Sequence, residues 1–129
     1  MNATLTRRLL VVDDDYTFVD YLRLVLGPAG WDIATCLDPI EATEMLRRDG
    51  ETPHVIMLDY FMPQMSGLEL LAWLRDRPET RDVPVVLCSV NMDRKLALEA
   101  AALGASRTMP KPINRADLLE CLQHVLHSQ

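Results

Sequence analysis

Val55-Ile56-Met57-Leu58-Asp59 is a run of four apolar residues closed by a carboxylate. No polar residue interrupts the run, so a strand built from it has no solvent face. Helices must then cover it on both sides, which is the condition of a parallel sheet in an α/β protein. The same form recurs upstream, where Leu9-Leu10-Val11-Val12 runs into Asp13-Asp14-Asp15. Trp31–Cys36 reads as a weakly alternating strand, Pro84–Cys88 as another apolar one, and Ser106–Met109 as a short last one.

The stretches between these strands carry helical signals. Tyr16 to Leu26 is stopped by Gly27-Pro28. The second helix has Asp38 as N-cap, Pro39 at its first position and Glu41 three after the cap, and ends near Asp49-Gly50. After a loop at Pro63-Gln64-Met65-Ser66-Gly67, Ser66 caps the third helix and Glu69 completes a capping box. Leu68, Leu71 and Leu74 mark its inward side. Asn91 is the expected cap of an Ala-rich fourth helix that closes at Gly104. Asn114 caps the fifth, with Asp117 three residues on and Leu118, Leu119, Leu122, Val125 and Leu126 inward.

Five βα units without a linker or repeat predict a flavodoxin-like, doubly wound (βα)5 sandwich with parallel sheet order 2-1-3-4-5. In that order the first and third strands are neighbours, so Asp13, Asp14 and Asp59 meet at the carboxyl edge, where such sheets bind ligands. Lys111, between Pro110 and Pro112, follows the last strand to the same edge. Clustered acids repel unless a cation joins them. A Mg²⁺ site is therefore expected, with Mn²⁺ as a substitute; Mg²⁺ takes six hard oxygens and keeps several waters. An Asp carboxylate beside it can attack a phosphoryl group to form an aspartyl phosphate. Lys111 fits the cation opposite the transferring group, and Ser89 offers a hydroxyl at the same edge.

The bulk numbers agree with a single domain over 1–129, with no output domain expected. The 129 residues are 49% hydrophobic and 25% charged, ordinary for a soluble protein. A net charge of −6 argues against nonspecific binding to nucleic acid or to an anionic membrane. No segment approaches the roughly 20 apolar residues of a membrane span, and Met1 to Arg8 has no apolar stretch of a signal peptide. A cytoplasmic location follows as an expectation. Cys36, Cys88 and Cys121 read as buried free thiols, and His124-x-x-His127 as a solvated helix face rather than a metal site. Trp31 and Trp73 read as packing residues. Asp15 reads as a helix cap, not a third metal ligand.

LLVVDDD (9–15), VIMLDYFMPQMSGLELL (55–71), VPVVLCS (83–89) and GASRTMPKP (104–112) together resemble a response-regulator receiver domain of bacterial two-component signalling. The likeness runs through essentially the whole chain. It implies that Asp59 is the phosphoacceptor. It implies Mg²⁺ held by Asp13, Asp14, Asp59 and the backbone carbonyl of Phe61. Ser89 and Lys111 would engage the phosphoryl group, and the Lys111-Pro112 bond would be cis. The donor would be the phosphohistidine of a sensor histidine kinase or histidine phosphotransfer protein. Signalling would pass to a downstream protein effector through the face of helix four, strand five and helix five, without direct nucleic-acid contact. The chain would be no enzyme beyond its own phosphorylation and dephosphorylation.

Three positions depart from the family's habit. Thr108 stands where an aromatic residue is common, three before the lysine. Val90 follows the hydroxyl where a small residue is usual. Pro110 replaces an apolar residue that has an N–H. Three other readings compete. Asp13-Asp14-Asp15-Tyr16-Thr17 matches the signature of haloacid-dehalogenase-like phosphatases, which would make Asp13 the nucleophile but leave Asp59 unexplained. A flavodoxin-like binding module would need a phosphate loop where the three aspartates stand. A receiver that signals without phosphate would not need Asp13, Asp14, Asp59, Ser89 and Lys111 intact.

Overall fold

The computed structural model describes residues 6–48 and 52–127. The strands are β1 (Arg7–Val12), β2 (Trp31–Cys36), β3 (Val55–Asp59), β4 (Val85–Ser89) and β5 (Arg107–Pro110). The helices are α1 (Tyr16–Leu26), α2 (Pro39–Arg48), α3 (Gly67–Arg75), α4 (Arg94–Ala102) and α5 (Arg115–His127). They alternate strictly along the chain. All strand pairs are parallel and the sheet order is β2-β1-β3-β4-β5, as expected from the sequence.

Every residue of β3 is buried, which is the cost-free solution for an apolar strand covered on both faces. Its side chains divide by alternation. Val55 and Met57 join Leu9, Val11, Phe18, Leu22, Leu118 and Leu122 in one core layer under α1 and α5. Ile56 and Leu58 join Leu10, Val12, Leu70, Leu71, Leu74 and Leu87 in the other, under α2, α3 and α4. Cys36, Cys88 and Cys121 are buried in these layers as thiols outside any disulfide. Trp31 is in the core. Half-buried Trp73 packs between the guanidinium groups of Arg47 and Arg77, 5.9 and 4.7 Å from its ring centre.

Helix starts follow the cap chemistry at most positions. Ser66 and Glu69 form a full capping box. Asp38 accepts the Glu41 N–H at 2.8 Å, and Asn114 accepts the Asp117 N–H at 2.8 Å. Asp15 accepts from Thr17 and Phe18 and caps α1. The expected end of α2 at Asp49-Gly50 lies outside the described residues, as do Met1 to Leu5 of the N-terminal stretch.

The structure corrects four expectations. α4 is capped by Asp93, which accepts the Leu96 N–H at 2.8 Å, and not by Asn91. Asn91 belongs to the turn that leaves β4, where its N–H donates to the Ser89 hydroxyl at 3.1 Å. β4 begins at Val85, because Pro84 has no N–H and enters the ladder only as the acceptor of the Ile56 N–H. β5 extends to Pro110, tolerated there because β5 is an edge strand. On α3, Leu70 takes the fully buried place expected for Leu68, which is partly buried against the same layer.

Candidate functional site: an acidic cleft at the carboxyl edge

β1 and β3 are neighbours, in register from Leu9 with Val55 to Val12 with Leu58. Both strands stop at the same edge and deliver their terminal acids side by side. Asp13, Asp14 and Asp59 each place a carboxylate oxygen within 4.8 Å of the others. Asp13 is 1% exposed and Asp59 8%, while Asp14 is open to solvent. Among the described residues no other cluster of metal-ligating side chains occurs, and His124 and His127 lie on an exposed helix face.

Lys111 reaches into this cluster from the end of β5. Its N–H donates to the Ser89 carbonyl at 2.9 Å, which ties the loop to β4. The Lys111-Pro112 peptide is cis. Its Nζ sits 2.6 Å from Asp13 Oδ2 and 3.5 Å from Asp59 Oδ1, over the Phe18 ring at 4.2 Å. Burial opposes the Lys111 charge, but the bond to Asp13 and the charges of Asp13 and Asp59 outweigh it, and the ammonium is held more firmly than usual.

The two buried acids are not equivalent. Both oxygens of Asp13 are engaged, Oδ1 by the Asp15 N–H at 2.9 Å and Oδ2 by Lys111. Asp59 has only the longer Lys111 contact among the described residues. Burial first, then the Asp13 charge, raises its pKa from 3.8 to about 6, against the pull of Lys111. Of the two buried acids, Asp59 is the one with fewer bonds.

Gly67 holds the floor of the cleft. Its N–H donates to the Tyr60 carbonyl at 2.9 Å, and a Cβ there would lie 2.5 Å from the Asp59 carbonyl oxygen and 2.7 Å from Leu87 Cδ1. Only glycine allows α3 to start this close to the end of β3. Ser89 is fully buried at the end of β4, and its hydroxyl accepts the Asn91 N–H. Phe61 is exposed, and its carbonyl takes no hydrogen bond among the described residues.

The donor set fits a hard divalent cation. Mg²⁺ bonds oxygens at about 2.0–2.1 Å, so two of its ligands sit at most about 4.2 Å apart. The three carboxylate oxygens, all within 4.8 Å of one another, are close to that limit. A cation there would also relieve the repulsion that raises the Asp59 pKa.

Sequence reasoning missed two members of the site. Phe18, under the Lys111 ammonium, was not singled out within the stretch Tyr16 to Leu26 that reads as the first helix. Gly67 reads as part of a turn, while its role is a close approach that only the packing reveals. A cavity of about 440 Å³ beside Lys111, lined also by Asp15, Thr17, Phe18, Tyr21, Val90, Pro112 and Ile113, was also not foreseen.

The model of the response regulator receiver domain family matches residues 9–123. The chain belongs to that family. A transcriptional regulatory protein CpxR homolog of Haemophilus influenzae is 33% identical over 122 residues, covering 92% of this chain and 50% of that protein. The chain spans about half or less of the length of the curated relatives it matches. Among solved structures, the chemotaxis response regulator CheY4 of Vibrio cholerae superposes with a TM-score of 0.87 at 28% identity, covering 95% of this chain and all of that one. The receiver domain of sensor histidine kinase PA1611 from Pseudomonas aeruginosa has a TM-score of 0.85 at 22% identity, over 96% of this chain and 100% of that one. That structure holds a magnesium ion in its active-site cleft, and at this identity the likeness speaks for the fold. Among the described residues no helix is long and apolar enough to cross a membrane.

Proposed function

We propose that this receiver domain takes a phosphoryl group onto Asp59 with the help of Mg²⁺. The observation that carries the reading is the asymmetry between the acids. Asp59 is buried in the cluster with a raised pKa and one long contact, whereas Asp13 has both oxygens bonded. Asp13, Asp14, Asp59 and the Phe61 carbonyl would hold the cation. The cation would neutralise charge on the transferring group, which is most of what phosphoryl transfer asks of a protein. Lys111 would hold the phosphoryl oxygens from the opposite side, and Ser89 would turn its hydroxyl from the Asn91 N–H towards them.

The donor would be the phosphohistidine of a sensor histidine kinase or a histidine phosphotransfer protein, and the output a contact with a protein effector in the cytoplasm. Catalysis would be limited to the chain's own phosphorylation and dephosphorylation. Thr108, half-buried in β5, offers no aromatic ring to swing, so the signal would travel by the smaller movement of Ser89 and the α4, β5 and α5 face. The competing Asp13 phosphatase reading is disfavoured by the two bonds on Asp13.

Intact mass after incubation with Mg²⁺ and acetyl phosphate tests the reading. A single phosphoryl adduct that requires Mg²⁺ and is lost in Asp59→Asn is expected. An adduct that survives in Asp59→Asn would overturn it.

A further inference from the structure

We infer that Phe18 is a positioning residue: its ring keeps the Lys111 ammonium over the cleft when Asp13 and Asp59 turn to a metal ion and a phosphoryl group. The inference rests on the proposed reading of Asp59 as phosphoacceptor. Lys111 Nζ has Asp13 Oδ2 at 2.6 Å, Asp59 Oδ1 at 3.5 Å and the centre of the Phe18 ring at 4.2 Å. The two carboxylates are the groups that the reaction claims. A divalent cation on Asp13 shares its charge and itself repels the ammonium. The ring face is negative but has no lone pair for a hard cation to take, so this third contact survives. Lysine is a compact charge on a flexible stem, and phosphoryl transfer depends on where that charge stands.

Phe18 is itself well fixed. It is buried in the core layer that holds Leu22, Ile113 and Leu118. Its N–H donates to Asp15 Oδ1 at 3.3 Å, and the Asp15 N–H donates to Asp13 Oδ1 at 2.9 Å. The contacts close on themselves: Asp13 holds Lys111 and Asp15, Asp15 caps the turn that carries Phe18, and Phe18 lies beneath Lys111. The Lys111 backbone is anchored separately, through its N–H to the Ser89 carbonyl at 2.9 Å. Anchored backbone and ring together fix both ends of the lysine stem. Burial accounts for an apolar residue at position 18, and leucine would fill that layer with little loss. The ammonium over the ring face accounts for an aromatic one.

Two readouts test it. In NMR spectra the Lys111 ε-methylene protons should lie upfield, shielded by the ring, in EDTA and again with Mg²⁺. The shift should be lost in Phe18→Leu. A shift that collapses when Mg²⁺ is added overturns the inference, because the ammonium then leaves the ring. The second readout is the rate of Asp59 labelling by acetyl phosphate, followed by intact mass. Phe18→Leu should slow it about fivefold, a barrier change of about 1 kcal/mol. Phenylalanines of increasing fluorination at position 18, which weaken the negative face with little change in volume, should slow it stepwise. In a Lys111→Met background, Phe18→Leu should slow labelling no further. Equal rates across the fluorinated series, or the same loss with and without Lys111, overturn the inference while leaving Asp59 as acceptor. Failure of the wild type to form any adduct overturns the acceptor reading, and this inference with it.

Discussion

Asp59→Asn is expected to make the metal-free protein more stable, although it removes the proposed reactive residue. Asp59 sits in a cluster with Asp13 and Asp14, and its pKa is raised from 3.8 to about 6 by burial and by the Asp13 charge. A raised carboxylate pKa means that the folded state resists ionisation more than the unfolded chain does. The native protein keeps the proton between about pH 4 and pH 6, where the unfolded chain has lost it, so stability falls as pH rises through that window. About two pKa units correspond to about 3 kcal/mol lost by pH 7. Asn carries no charge and escapes this loss. Lys111 keeps Asp13 at 2.6 Å in the variant, so its main ion pair survives. Urea unfolding in EDTA should therefore show Asp59→Asn more stable than wild type by about 1–3 kcal/mol at pH 7.5, the lower end allowing for relaxation of the cluster. Near pH 3.5 the gain should vanish. A gain over wild type that is equal at both pH values, or a variant less stable than wild type at pH 7.5, would refute the reasoning.

Three further predictions follow from the same geometry. Mg²⁺ should raise the melting temperature by binding the folded cluster, and the increase should shrink from pH 7.5 to pH 5 as protons compete for Asp59; an increase independent of pH in thermal melts would count against the acid cluster as the binding site. Gly67→Ala should cost about 2–3 kcal/mol in urea unfolding, since its Cβ would press on the Asp59 backbone and Leu87, and should also impair labelling at Asp59. Burial pushes the Cys88 thiol well above its ordinary range, and burial also raises Cys121. A thiol reagent should therefore find these two cysteines slow to react in native protein and reactive once it is unfolded.

The order of elements and the meeting of the acids were legible in the sequence because both rest on local signals. An unbroken apolar run such as Val55 to Leu58 admits one environment, and the caps at Asp38, Ser66 and Asn114 need only three neighbouring residues. Strand order then brings Asp13 and Asp59 together without further information. Asn91 misled because its side chain is a good cap, while its backbone is already taken by the Ser89 hydroxyl. Leu68 misled because the buried stripe of α3 begins one residue earlier, at Gly67, and runs through Leu70, Leu71 and Leu74 at helical spacing. Phe18 beneath Lys111 and the cavity beside it depend on groups far apart in the chain; the Lys111 to Asp13 contact alone closes 98 residues. Such contacts leave no local trace.

The most direct test of the central claim is to trap the acyl phosphate and locate it. Protein incubated with Mg²⁺ and acetyl phosphate is reduced with borohydride, which converts a phosphorylated aspartate to homoserine, and the peptides are mapped by mass spectrometry. The account predicts homoserine at position 59 alone, and none when Mg²⁺ is chelated. Homoserine at position 13 would contradict it, since the acid with both oxygens bonded would then be the nucleophile.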